Sequence, residues 1–244
     1  MQTIKSKDNQ IFKSFNKLNQ KKFRDREGLF VVEGDKLVEE AAKCGADIVM
    51  TAVREDRKDD YPEAYVFTDA LFRKLTDTVN SQGVIAAVRK PETQSGLKDG
   101  NTVVMDRLQD PGNVGTVIRT CDAAGVAQII AIRGTADIYS PKVVRSCAGS
   151  VFRVPVMEMD TDEAIALIRE HGKMLAVSTP GEAVDYREIE TDKDIALVIG
   201  NEANGVSEGF LSDADVRVGI PMKGDIESLN AGVAAGILIY ELLY

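Results

Sequence analysis

The stretch Ile195-Ala196-Leu197-Val198-Ile199, followed by Gly200-Asn201-Glu202, decides the fold of this chain. Five consecutive apolar residues with no polar alternation are the pattern of a strand covered on both faces, and such strands belong to mostly parallel sheets with helices on each side. The run ends in a turn, and in open α/β sheets ligands collect at the carboxyl ends of strands. Two other strand-like segments end in the same way. Residues 102–105 lead to Asp110-Pro111-Gly112-Asn113-Val114-Gly115-Thr116 with Arg119, and residues 216–219 lead to Ile220-Pro221 and then Ser228-Leu229-Asn230. Three such turns suggest one assembled site.

Outward from this run, the second part of the chain reads as strand–helix repeats. Strands are predicted over 102–105, 128–132, 154–157, 174–177 and 216–219, and helices over 115–124, 143–149, 163–169 and 231–243. The first part alternates as well. It has a basic N-terminal helix, an apolar run at 29–32, a helix over 36–43, a strand over 47–53, a short run at 65–67, a helix over 70–75 and a strand over 84–88, which together make a compact α/β module. The polar, aperiodic stretch KPETQSGLKDGN over 90–101 separates a domain over 1–95 from one over 101–244. With 244 residues, 44% of them hydrophobic, the chain can build two cores of ordinary size.

Several function classes are excluded. No apolar run approaches the roughly 20 residues that cross a bilayer, and the N-terminus lacks the features of a signal peptide, so a cytoplasmic location is expected. Cys44, Cys121 and Cys147 are odd in number and form no C-x-x-C pair, which favours structural thiols over disulfides or zinc. The single histidine, His171, stands between a helical stretch and Gly172, the place of a solvated helix C-terminus. One imidazole leaves no Ser-His or Cys-His nucleophile, and no metal is expected. The chain has no Gly-x-Gly, which excludes the Rossmann fingerprint, and no G-K-[ST] follows the 110–116 run, which excludes a P-loop.

The net charge of −9 is awkward for binding a polyanion, but it is unevenly distributed. Residues 1–30 carry eight Lys or Arg against three acids, so this segment is +5 and the remainder −14. A basic stripe at one end fits an RNA-facing arm, and equally a solvated amphipathic helix with Ile11, Phe12, Phe15 and Leu18 packed inward.

Each turn also carries two readings. Gly112 and Gly115 permit close backbone approach at a helix N-terminus. Along that helix Val114, Val117, Ile118, Cys121 and Ala124 form the buried stripe, while Thr116, Arg119 and Asp122 share the opposite side. Arg119 is then either a functional cation or a surface group paired with Asp122. Gly200 suits a backbone lying flat against a ligand, and Glu202 is either a carboxylate at the mouth of the strand or a turn acid before a helix near Ser207. Ser228 can cap the following helix, and the small residues Ala231, Gly232, Ala234, Ala235 and Gly236 can allow close helix packing.

In this order and at these spacings the three runs resemble the SpoU (TrmH) family of the SPOUT superfamily, whose members transfer a methyl group from S-adenosylmethionine to a ribose 2′-hydroxyl of RNA. The resemblance covers nearly the whole chain. Asn113 and Arg119 occupy its N-x-G-x-x-x-R positions, Gly200 and Glu202 its second run, and Ile220-Pro221-Met222 through Ser228-Leu229-Asn230 its most specific one. It implies an α/β C-terminal domain with a mostly parallel sheet and a trefoil knot, plus a smaller N-terminal RNA substrate-binding domain related to certain ribosomal proteins. The turns Phe30-Val31-Val32-Glu33-Gly34 and 77–83 stand where that domain has its recurring turns. The resemblance further implies a homodimer, a catalytic set of Asn113, Arg119, Glu202, Ser228 and Asn230, and cofactor contacts from Gly200, Ile220 and Leu229. Ala231-Gly232 departs from the bulkier residues frequent there.

Arginine is a poor general base because its pKa exceeds roughly 12, so Arg119 is assigned primarily to clamping a substrate phosphate and stabilising the oxyanion, while the resemblance leaves open that it also takes the proton. Ribosomal RNA is the expected substrate. The alternatives are tRNA, a non-catalytic RNA-binding protein retaining the fold, and an α/β enzyme using another nucleotide cofactor.

Overall fold

The computed structural model describes residues 3–76, 78, 80–92, 96–190 and 192–244. The chain divides into two compact units, one of Met1–Glu92 with Tyr139–Phe152 and one of Thr93–Ile138 with Arg153–Tyr244.

The first unit runs α1 (Gln10–Lys17), α2 (Lys21–Glu27), β1 (Leu29–Glu33), α3 (Asp35–Lys43), β2 (Ile48–Arg54), β3 (Tyr65–Phe67), α4 (Asp69–Phe72) and β4 (Val84–Arg89). Its sheet has the order β1-β4-β2-β3, antiparallel except for the β2–β3 pair. The sequence predicts one basic N-terminal helix, and the structure has two. Leu18 is buried and ends α1, and its carbonyl accepts a 2.6 Å hydrogen bond from the buried Arg24 guanidinium. That bond satisfies a carbonyl that a helix end would otherwise leave orphaned. Phe12, Phe15 and Leu18 do pack inward, against Phe67, Phe72 and Ile85, and Ile11 packs beside them. Helix α4 is shorter than predicted, and Leu75 is buried from the turn beyond it.

The two turns that the resemblance singled out in this module lie together. Gln82 accepts the Asp35 N–H through its side chain at 2.9 Å, Gly34 donates to the Val84 carbonyl at 3.0 Å, and the Thr78 hydroxyl bonds the Glu33 carboxylate. Asp77 and Val79 of the second turn, and residues 93–95 of the predicted boundary stretch, lie outside the described residues.

The rest of the chain runs β5 (Thr102–Asp106), α5 (Pro111–Ala123), β6 (Gln128–Ile132), α6 (Pro141–Ser146), β7 (Val156–Met159), α7 (Thr161–Glu170), β8 (Met174–Ser178), β9 (Val184–Asp185), β10 (Ile195–Gly200), α8 (Glu208–Asp213), β11 (Val216–Gly219) and α9 (Ala231–Leu242). Apart from α6, these belong to the second unit. Its seven strands are all parallel, in the order β7-β6-β5-β10-β8-β11-β9. Every residue of β5 and β6 is buried, as is β10 through Ile199, which matches a strand covered on both faces. Edge strand β9 has only two residues, too few for any periodicity to announce it.

Segment 139–152 follows the second unit's β6 in the chain but groups with the first unit. There the fully buried Phe30 meets Tyr139 and Phe152, with ring centroids 4.9 and 5.9 Å away, and the Lys90 ammonium lies 4.9 Å over the Tyr139 ring. Aromatic contacts at such distances add to the gain from burial alone.

Among the described residues no helix is long and apolar enough to cross a membrane, and no cluster of His, Cys, Asp or Glu could hold a metal. Cys121 and Cys147 are buried and Cys44 is exposed, none of the three in a disulfide, and burial pushes the Cys121 thiol up.

Candidate active site

Strands β5 and β10 are neighbours in register, with Asp106 opposite Gly200, so their exit turns emerge side by side. Asp110 caps α5, accepting the Asn113 N–H through its side chain at 2.9 Å, and Pro111 takes the first helical turn, where its missing donor costs nothing. This start holds Asn113 nearly buried, facing the turn after β10. Its side-chain amide donates to Glu202 at 2.8 Å. Two backbone donors from the exit of β5 also reach the carboxylate, Gln109 at 3.1 Å and Asp110 at 3.3 Å.

Burial alone would raise the Glu202 pKa. The Asn113 amide and the N–H groups of Gln109, of Glu202 itself and of Asp110 outweigh it and hold the carboxyl below its ordinary value. Glu202 is therefore a bridge between the exits of β5 and β10. It does not cap α8, whose N-cap is Ser207.

Gly200 owes its identity to the chain itself. A Cβ there would stand 2.5 Å from the Val206 nitrogen and 2.6 Å from the Gly205 carbonyl carbon, because the turn closes back through a bridge between Asn201 and Gly205. The space on the Cβ side of Gly200 is filled by this turn.

The third run leads into α9, and Asn230 caps it, accepting from Gly232 at 3.0 Å and Val233 at 3.2 Å. Ser228 is exposed and does not cap the helix. Gly232 lets α9 approach α5, for a Cβ there would lie 3.2 Å from Asn113 Oδ1 and 3.4 Å from Thr116 Cβ.

A cleft of about 790 Å³ opens at the carboxyl ends of β8, β10 and β11. Ile220, Leu229, Glu202, Ser228 and Asn230 all line it. Asn113 stands behind Glu202, and Gly200 does not line the cleft. Its apolar walls include Ile220, Leu229 and Leu238, and its volume lies within the range of about 300–1,000 Å³ that ligand pockets occupy. One wall, Ser178-Thr179-Pro180-Gly181, was not singled out from sequence, although a strand ending in a Thr-Pro-Gly turn is the same signal as the other three.

Arg119 is exposed on α5 and does not line the cleft. Among the described residues it makes no hydrogen bond or ion pair. The alternative partner, Asp122, is taken by Arg153, with contacts of 2.7 to 3.1 Å. Val114, Val117, Ile118 and Cys121 form the buried stripe as the periodicity requires.

Comparison with known proteins gives a consistent picture. The SpoU rRNA Methylase family model matches residues 100–240, and the MRM3-like substrate binding domain model matches residues 9–86. The chain is 33% identical over 247 residues to the 23S rRNA (guanosine(2553)-2′-O)-methyltransferase RlmP of Bacillus subtilis, an alignment covering 99% of each protein. The AdoMet-bound rRNA methyltransferase from Sinorhizobium meliloti superposes with a TM-score of 0.86 at 31% identity, covering 98% of this chain and 96% of that one. The SpoU methyltransferase AviRb from Streptomyces viridochromogenes, in complex with the cofactor AdoMet, superposes with a TM-score of 0.84 at 27% identity over 96% of each chain.

The bridge has a pH signature. A carboxyl whose folded pKa is depressed contributes stability above its unfolded value of about 4.3, and that stability is lost as the pH falls through the folded value. Glu202→Gln sets an amide N–H against backbone donors, so it lowers Tm at neutral pH, and the gap to the parent protein narrows below about pH 4. Thermal melts of both proteins across that range check this, and a gap independent of pH would refute it.

Proposed function

The chain belongs to the SpoU rRNA Methylase family, and on that premise we propose that it methylates a ribose 2′-hydroxyl of ribosomal RNA with S-adenosylmethionine as donor. The observation that carries the reading is the cleft where the strand-end turns meet, bringing Ile220 and Leu229 together with Glu202, Ser228 and Asn230. Ribosomal RNA is preferred over tRNA because a substrate-binding domain matches the first unit and the relative aligned over the whole chain is a 23S rRNA enzyme. A cytoplasmic location accords with such a substrate.

The residues fit the cofactor. Ile220, Leu229 and Leu238 offer apolar surface for an adenosine, and the turns at 178–181 and 220–230 offer main-chain groups for its polar edges. Gly200 contributes indirectly, by letting the turn that bears Glu202 fold tightly. When bound, S-adenosylmethionine supplies an electrophilic methyl group.

The chain's own residues position and polarise the nucleophile. With its carboxyl held ionised, Glu202 fixes the Asn113 amide, and Asn230, whose oxygen caps α9, keeps its amide N–H₂ available at the cleft. Ser228 presents an exposed hydroxyl beside them. Arg119 is the uncommitted cation of α5 and clamps the substrate phosphate while stabilising charge that develops on the ribose oxygen. Its position outside the cleft accords with a homodimer in which sites are completed across the subunit interface. Helix α9 supports that assembly, since its Val233 and Tyr240 are about half exposed, and Tyr244 just beyond the helix is more so. We further assign the C-terminal segment to the knotted arrangement of the family, a reading supported by β11 lying outside β8 while α9 packs on α5 and β10.

Three outcomes follow. Arg119→Ala leaves S-adenosylmethionine affinity by calorimetry nearly unchanged and lowers methyl transfer to rRNA by about 10²-fold or more; normal turnover would reduce Arg119 to a surface residue. Sedimentation equilibrium gives twice the chain mass, and Tyr240→Glu shifts it toward the monomer; a monomeric parent protein contradicts the dimer. Replacing Lys13, Lys17, Lys21 and Lys22 by Gln weakens RNA binding and flattens its salt dependence without changing cofactor affinity, because fewer counterions are released. An unchanged slope would move the RNA surface elsewhere.

A further inference from the structure

We propose that Asn201 is a positioning residue, whose side chain staples the exit loop of β5 to the turn bearing Glu202 and so aims the Gln109 and Asp110 N–H groups at that carboxylate. The inference rests on the methyltransferase reading, in which Glu202 belongs to the site.

The geometry starts at Arg107, which sits at φ 58°, a left-handed conformation uncommon for a residue with a side chain. Such a conformation persists only where the surroundings over-determine it. Here they do. The Arg107 carbonyl accepts the Asn201 side-chain amide at 2.6 Å, and the Arg107 guanidinium bonds the fully buried Asp106 at 3.0 Å. The other oxygen of Asp106 accepts the Ser207 N–H at 2.6 Å, a second tie between the same two loops. The Gln109 side chain anchors the far side, donating to the Gly134 carbonyl at 2.6 Å.

At its other end Asn201 shapes the turn. Its Oδ1 accepts the N–H groups of Ala203 and Asn204 at 2.9 and 3.0 Å, an Asx-type closure that sets where Glu202 leaves the backbone. One side chain thus specifies both partners of the Glu202 contact. The amide end fixes the loop that donates to the carboxylate, and the carbonyl end fixes the turn that carries it.

The two ends are separable. Asn201→Asp keeps an oxygen for the turn but sets a carboxylate oxygen against the Arg107 carbonyl. Amide hydrogen exchange at Gln109 and Asp110 is expected to rise about tenfold, since their acceptor is no longer held in place. The rate of methyl transfer to rRNA at saturation falls about tenfold or more, while S-adenosylmethionine affinity stays within about twofold. On a Glu202→Gln background the same change costs little further, because the residue acts through Glu202. Unchanged exchange, parental turnover, a loss of cofactor affinity or an additive double mutant would each overturn the proposal. Asn201→Ala, which removes donor and acceptor together without adding charge, repeats these measurements if the Asp variant does not fold. A parent protein that transfers no methyl group to rRNA would sink the functional reading alone, and hydrogen exchange would still decide the staple.

Discussion

One carboxylate, shared by donors from the exit of β5, ties that exit to the turn after β10. Glu202 receives the Asn113 amide and the N–H groups of Gln109 and Asp110, and these bonds cross between strands whose registers place Asp106 beside Gly200. A carboxylate so engaged is a weak base, because its bonds favour the ionised form. The consequence is a division of labour. Glu202 orders the groups around it, and the charge chemistry is the role proposed for Arg119, which makes no hydrogen bond or ion pair among the described residues.

Close approach of backbone makes this arrangement possible. Gly200 admits the returning turn at 205–206, and Gly232 admits the α5 side chains Asn113 and Thr116 against the start of α9. A methyl group at Gly200 would meet backbone, which cannot yield as a flexible side chain can. Gly232, two residues after Asn230, has its physical reason in this contact.

The acidic total charge is compatible with an RNA substrate because of where the cations stand. The first unit begins with a +5 segment, although not all of it is free for solvent or phosphate. Arg24 is buried and terminates α1, and Lys13 lies 3.5 Å from Asp8. Lys17, Lys21 and Lys22 are exposed on α1 and α2, three of the four residues on which the proposed salt dependence rests.

The sequence by itself determined the elements that repeat locally. The apolar run at 195–199, the alternation of strand and helix, the buried stripe of α5 and the three turns were all legible, since periodicity and turn chemistry act within a few residues. The family resemblance, rather than any periodicity, named Ile220, Leu229, Glu202, Ser228 and Asn230 together, and all five line the cleft. Only the tertiary structure decided which partner each polar group takes. Asp122 goes to Arg153, Glu202 reaches back 89 residues to Asn113, Asn230 rather than Ser228 caps α9, and segment 139–152 groups with the first unit. Those choices depend on strand register and on which helix faces meet, and neither is encoded in a stretch short enough to read by period.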